Sequence, residues 1–273
     1  MKAIISHDID HITVTEHLLR DTIVPKYLAR IHIELVLGRI TPREYILRWS
    51  EFLKNKWQNI DELITFNNIK GIPSSFFVAV DKGTGLNYSN SAALVWIEQM
   101  KIRGCEIGLH GISFDNKEAV QKELEAFLKL SGLDRAGMRM HYVKRNEETL
   151  KYFSEAGYLY DSTIHSFENP YKIGNMWEFP FQIMDGWILE SGRRWQSVNL
   201  DQAKDKTKRV IEEAQQRDLM YLGIDFHDRY FSQSFRTWLN WYTWLVDYLI
   251  ENKIEFINFA NAIKELENAK VKI

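Results

Sequence analysis

The sequence contains a single cysteine, Cys105, in 273 residues. One thiol excludes an intrachain disulfide framework and any multi-cysteine zinc site, and it fits a reducing compartment. No apolar run approaches the roughly twenty residues of a membrane span. The opening MKAIISHD has only three apolar residues between its lysine and Ser6, too few for the core of a secretory signal. Charge of one sign is also missing: 35 basic side chains stand against 37 acidic ones, interleaved along the chain, for a formal net charge of -2. No global field therefore draws nucleic acid or an anionic membrane. These absences lead to the expectation of a cytoplasmic protein with no nucleic-acid partner. There is no repeated unit and no low-complexity segment. What is present, 45% hydrophobic and 26% charged side chains, suffices to bury one large core, so residues 1–273 read as a single domain.

Apolar runs that end in polar residues alternate with helical stretches. KAIISHD, IPSSFFVAV, CEIGLHG, AGMRMHY, YLYDST and LMYLGIDFH read as strands, with IEFINF as a last short one. A helical insertion of about fifty residues, near 14–68, separates the first two strands. Its first part carries apolar positions at helical spacing from Leu18 to Val36, and its second, TPREYILRWSEFLK, has Thr41 as N-cap and Pro42 as first helical residue. The Pro- and aromatic-containing segment from Phe167 to Trp187 receives no strand. Six or seven strand–helix units favour an α/β fold, a distorted (β/α) barrel of about seven parallel strands, over an open sheet.

The polar groups HDID, LHG, RMHY, YDST and DFHD all stand at the carboxyl ends of predicted strands. On a parallel barrel that rim is where the loops converge into a site. Strand alternation puts Asp8 and Asp10 on one face and His7, Ile9 and His11 on the other. Two carboxylates on one face repel unless a cation intervenes; a divalent metal held by one, with water against the other, relieves the repulsion and activates the water. His110 adds an imidazole from a neighbouring strand, and histidine with carboxylates suits zinc or another first-row metal. Alone, a strand-end aspartate caps a turn and a single histidine is usually a hydrogen-bonded structural group. Their shared placement favours chemistry.

The ordered set SHDID, EIGLHGISFD, GMRMHY, GYLYDST and LGIDFHD resembles the five motifs of the NodB-like polysaccharide deacetylases, carbohydrate esterase family four, over most of the chain. It is more similar to a branch with HD(V/I)D, GLHxS and RxHY in these places and a long helical insertion after the first motif. The resemblance implies a metal-dependent hydrolase, with zinc as its metal, whose carbohydrate substrate is an N-acetylated precursor of surface polysaccharide. It implies Asp8 as general base, Asp10 and His110 as metal ligands, and His227 as the general acid. Arg139 would orient Asp8, Asp161 would polarise His227, and the backbone N–H of Tyr142 would help hold the oxyanion. Asp225, two residues before His227, is a rival partner for that histidine. One position departs from the family: Phe114 stands where a second histidine ligand belongs. His141 is the first candidate to replace it, followed by Asp115 and His11. The alternatives are an amidohydrolase acting on a non-sugar amide and a catalytically impaired carbohydrate-binding barrel.

Trp238, Trp241, Trp244, Leu245 and Tyr248 fall on one helical stripe and read as core-facing. In GNMWEFPFQIMDGW, the residues Trp177, Phe179, Pro180 and Phe181 are candidates for stacking on a sugar, the alternative being a packed irregular strand. Arg20, Lys26, Arg30 and Arg39 could set the early helix on a membrane surface or a second subunit, although Glu16, Asp21 and Glu34 dilute that face and favour packing over the barrel. His7 and Cys105 read as structural.

Overall fold

In the computed structural model, which describes residues 1–18, 20–190 and 196–270, the apolar run after Met1 forms β1 (Lys2–Ile9), buried on both faces as in a helix-covered parallel sheet. Three helices follow: α1 (Ile23–Val36), α2 (Pro42–Leu53) and α3 (Ile60–Ile69). α2 begins where the sequence predicts, because the Thr41 side chain and Glu44 form a reciprocal capping box around Pro42. Strands and helices then alternate through β2 (Ser75–Val78), α4 (Asn90–Ile102), β3 (Glu106–Gly111), α5 (Lys117–Ser131), β4 (Met138–Met140), α6 (Thr149–Ala156) and β5 (Tyr160–Asp161). The chain continues through β6 (Tyr171–Ile173), β7 (Met176–Glu178), β8 (Ile183–Met184), α7 (Asp185–Leu189), α8 (Leu200–Gln216), β9 (Tyr221–Asp225), α9 (Arg236–Glu251) and α10 (Phe259–Lys270).

Hydrogen bonding orders the sheet β6-β7-β5-β4-β3-β2-β1-β9-β8, parallel throughout except for β6 against β7. β7 and β8 lie near opposite ends of that order, yet only residues 179–182 separate them in sequence. Phe179 N–H donates to the Asp161 carbonyl and Phe181 N–H to that of Ile164, after which Gln182 N–H crosses to Gly223. Segment 176–184 thus pairs first with β5 and then with β9, closing the sheet on itself. Pro180, with no N–H to give, sits at the changeover. Counted once, this segment gives seven parallel staves: β1, β2, β3, β4, β5, the shared β7/β8 stave and β9. The fold is therefore the distorted parallel barrel expected from the sequence.

Two expectations are corrected. The Phe167–Trp187 segment supplies β6, β7 and β8, and its Trp177, Phe179, Pro180 and Phe181 are buried as core rather than presented for sugar stacking. IEFINF is not a full strand: it contributes a single parallel bridge, Phe256 to Ala3, before the chain turns into α10. The tryptophan stripe of α9 is core, with Trp238, Trp241 and Leu245 fully buried. His7 is also structural; it donates Nδ1–H to the Phe226 carbonyl (2.7 Å) and accepts from Asn67 Nδ2 (2.9 Å). Burial pushes its pKa down to about 3, so it stays neutral.

The basic residues of the early helices are partly committed to internal contacts. Buried Glu34 pairs with both Arg30 and Arg48, Arg30 also reaches Glu190 (3.3 Å), and Arg39 donates to the Ser197 carbonyl (2.9 Å). No helix among the described residues is long and apolar enough to cross a membrane.

Backbone proximity fixes one residue choice near the barrel centre. A Cβ added at Gly137 would lie 2.1 Å from the ring of the buried Tyr160. Gly137→Ala is expected to destabilise the protein by about 1–3 kcal/mol through overpacking, read as a lower urea midpoint with unchanged m-value. A midpoint equal to that of the parent would contradict the packing.

Candidate active site

Strand β1 ends in a place where alternation acts as expected: His7 turns outward from the barrel axis into the Asn67 and Phe226 contacts, and Asp8 meets Arg139. Asp10, just past the strand, meets His110 from β3 and His141 from the turn after β4. The Asp10 Oδ1 atom lies 3.2 Å from His110 Nε2 and 3.2 Å from His141 Nδ1, and the two nitrogens are 2.9 Å apart.

The far side of each ring explains this approach. His110 Nδ1 faces the Arg139 carbonyl at 3.1 Å, and His141 Nε2 faces the Thr84 carbonyl at 3.1 Å. A carbonyl can only accept, so both of these nitrogens carry the proton, and lone pairs on His110 Nε2 and His141 Nδ1 are left facing Asp10. Three acceptors at that spacing need a positive charge among them. Asp10 Oδ1 is buried and has no hydrogen-bond donor of adequate geometry. The donor–donor distances approach the roughly 3.3 Å edge of a tetrahedron with metal–nitrogen bonds near 2.0 Å. Asp10, His110 and His141 thus fit a divalent cation of the zinc type, and of the candidates to stand in for a histidine at 114, His141 is the one brought to Asp10 and His110. Asp115 is exposed and His11 belongs to a different cluster.

Burial opposes a charged His110, yet the Asp8 charge and the Asp10 contact raise its pKa. The desolvation of Asp10 is likewise outweighed by His141 and His110, which hold its carboxyl well below the usual range.

Asp8 is gripped from the other side. Arg139, from β4, shares Nη1 between Asp8 Oδ1 (3.2 Å) and Asp225 Oδ1 (2.9 Å), while its Nε and Nη2 donate to the Ser162 carbonyl and hydroxyl. Burial and the neighbouring Asp8 push the Asp225 carboxyl up to about 7, against the pull of Arg139.

His227, two residues beyond β9, projects Nε2 to 3.7 Å from Asp10 Oδ2. Its partner is not Asp161. Asp185, the first residue of α7, accepts from His227 Nδ1 (2.9 Å) with one oxygen and from the His227 backbone N–H (2.8 Å) with the other. Asp225 stands farther off, at 4.0 Å. Burial alone would lower the His227 pKa, but Asp185 and Asp225 raise it well above the ordinary value, which leaves an imidazolium at neutral pH.

Asp161 is turned the other way, against Thr163 (2.6 Å) and the buried Glu178. Burial raises both carboxyls, that of Glu178 further because the Asp161 charge beside it opposes its ionisation. Tyr142, whose backbone amide the resemblance places at an oxyanion, has left-handed geometry at φ 56°, ψ 19°, and its ring lies 4.0 Å from that of His141. The residue that sequence reasoning missed is Asp185. Its signal was its place at the carboxyl end of a strand, opposite DFHD, but QIM does not read as a strand without knowledge of the sheet.

No family model and no curated protein matches the sequence. Solved structures do. A Mycobacterium smegmatis protein assigned as a polysaccharide deacetylase superposes with a TM-score of 0.63 at 17% identity, covering 98% of this chain and 90% of its own. An allantoinase superposes at 0.57 with 16% identity, over 75% of this chain and 70% of its own. A carbohydrate esterase family four pseudoenzyme from Bacillus anthracis reaches 0.52 at 8% identity, over 95% and 64%. At such identities the shared property is the architecture, and proteins of this architecture differ in activity. The chain has the NodB-like fold of carbohydrate esterase family four.

Proposed function

We propose that the protein is a metal-dependent hydrolase that removes the N-acetyl group of an N-acetylated sugar, a precursor of surface polysaccharide. The observation that carries this reading is the convergence of Asp10, His110 and His141 between a carboxylate bound to arginine, Asp8, and a histidine bound to a carboxylate, His227. A divalent cation at the three donors supplies Lewis-acid polarisation of the acyl group and of the attacking water.

The protein's own groups divide the remaining work. Asp8 takes the proton of the water. Arg139 fixes one of its oxygens and leaves Oδ2 turned toward His110, at 3.8 Å. His227 gives a proton to the departing nitrogen from Nε2, and Asp185 on Nδ1 keeps that ring in place and charged. The Tyr142 N–H is assigned to the developing oxyanion. Asp161 acts at a distance in this reading: with Thr163, which also accepts from the Met140 N–H, it steadies the rim between β4 and β5.

A second reading keeps the site and replaces the sugar by a non-sugar amide. The allantoinase likeness and the burial of the Trp177–Phe181 aromatics favour it. Acetate release from N-acetylated sugars, set against turnover of a panel of small cyclic and acylated amides, decides between the two.

Asp10→Ala and His141→Ala are each expected to lose the metal equivalent held at Asp10, His110 and His141 and to lose acetate release with it, measured by elemental analysis and an acetate assay. Asp8→Asn is expected to keep the metal and lose about 10²–10⁴-fold in rate. Full metal and full activity in Asp10→Ala would end this assignment.

Asp185→Asn removes the charge that raises the His227 pKa. Activity that needs protonated His227 falls as pH rises through that pKa, so the basic limb of the rate profile is expected to move to lower pH. An unmoved basic limb would show that His227 is not the acid Asp185 controls.

A further inference from the structure

A second set of donors gathers immediately beyond Asp10. The chain turns after β1 so that His11, Glu16 and His17 each bring one ligand atom within 4.8 Å of the others. His17 is fully buried, with Nε2 facing Glu16 Oε1 at 3.1 Å and Nδ1 facing Asp21 Oδ2 at 2.8 Å. Asp21 is itself held by Asn87 Nδ2 (2.5 Å) and the Ile23 N–H (2.8 Å). The Glu16 carboxylate is aimed by the backbone N–H groups of Ile12 and Thr13, both at 2.9 Å. The His11 ring stands edge-on to His17 at 4.6 Å, and its Nδ1 is shut off from solvent with no hydrogen-bond partner.

The donor chemistry follows from these contacts. With Nδ1–H of His17 given to Asp21, the Nε2 lone pair points at a carboxylate oxygen, and two acceptors 3.1 Å apart need a proton or a cation between them. Two imidazoles and one carboxylate form a ligand set used for zinc, and a carboxylate behind a ligating histidine fixes its tautomer and raises its basicity. Arg229, whose charge reaches His11, is held by stacking on Trp57 (4.0 Å) and Tyr27 (4.7 Å).

We propose that His11, Glu16 and His17 hold a second divalent first-row cation, separate from the one at Asp10, His110 and His141. It ties the turn after β1 to the helical insertion, and so holds the backbone that carries Asp10. The proposal does not depend on which amide the protein hydrolyses, or on hydrolysis at all.

The test is a metal count on the full chain, stripped with chelator and titrated with Co²⁺, read by visible absorption and by elemental analysis. The expected result is two equivalents per chain. His110→Ala retains one of them, and adding His11→Gln with His17→Gln removes it. Glu16→Gln, which keeps one acceptor oxygen for the Ile12 and Thr13 N–H groups in place of two, is expected to weaken the second equivalent at least tenfold while leaving the far-UV spectrum unchanged. A single equivalent in the unmutated chain overturns the proposal, as does a second equivalent that survives these substitutions. Failure of acetate release leaves the count unaffected, which separates this proposal from the deacetylase reading.

Discussion

A guanidinium buried inside the barrel organises the site. Arg139 is fully buried, lies over the rings of Phe77 (4.8 Å) and Phe181 (5.3 Å), and must find its counter-charges within the protein. An unpaired ion there would cost several kcal/mol. It finds Asp8 from β1 and Asp225 from β9, while Ser162 after β5 takes its other N–H groups. In sheet order β4 and β9 are separated by β3, β2 and β1. One side chain can join them only because the sheet curls shut, so closure by segment 176–184 and the placement of Asp8 are parts of the same construction.

The charges around that arginine do not balance by themselves. Asp8, Asp10, Asp185 and Asp225 face one another across a small volume, and the fixed cation among them is Arg139. The protein responds by holding protons: Asp225 is pushed up to about 7, and the pKa values of His110 and His227 are raised. These shifts have different chemical meanings. The His227 proton faces a carboxylate on one side and the pocket on the other, where it can be given away. The positive charge called for near Asp10 sits among three acceptors, two of them imidazoles whose far nitrogens are already committed to backbone carbonyls, an arrangement better met by a metal than by a proton.

Much of this was legible in the sequence because rim residues follow apolar strands directly, and period-two alternation then sorts faces. SHDID gave Asp8 and Asp10 one side and His7 the other. LHG and DFHD placed His110 and His227 at strand ends. What stayed hidden depends on register and closure. β5 and β8 are only two residues each, and Pro180 interrupts the stave that carries β8, so neither shows a readable period. Asp161 on β5 therefore turned out to face Thr163 and Glu178, and Asp185 after β8 took the place beside His227. The pairing of Met184 with Asp225 puts Asp185 level with the end of β9, and no local pattern encodes that pairing.

Position 114 holds a phenylalanine while a histidine at 141 faces Asp10, and the backbone records the cost of presenting it there. Phe114 packs its side chain toward the core, and its carbonyl accepts from Thr149 (2.9 Å), so the loop after β3 is anchored without offering a ligand. His141 must instead be presented by a sharp turn after β4, where Tyr142 and Val143 have φ of 56° and 48°. Thr84, whose carbonyl orients His141, has φ of 55°. Non-glycine residues in this region cost on the order of 1 kcal/mol each, and such strain gathers where surrounding contacts over-determine the geometry. Here three strained residues surround one imidazole that faces Asp10 and His110. That concentration is what the ligand role proposed for His141 would require of the backbone around it.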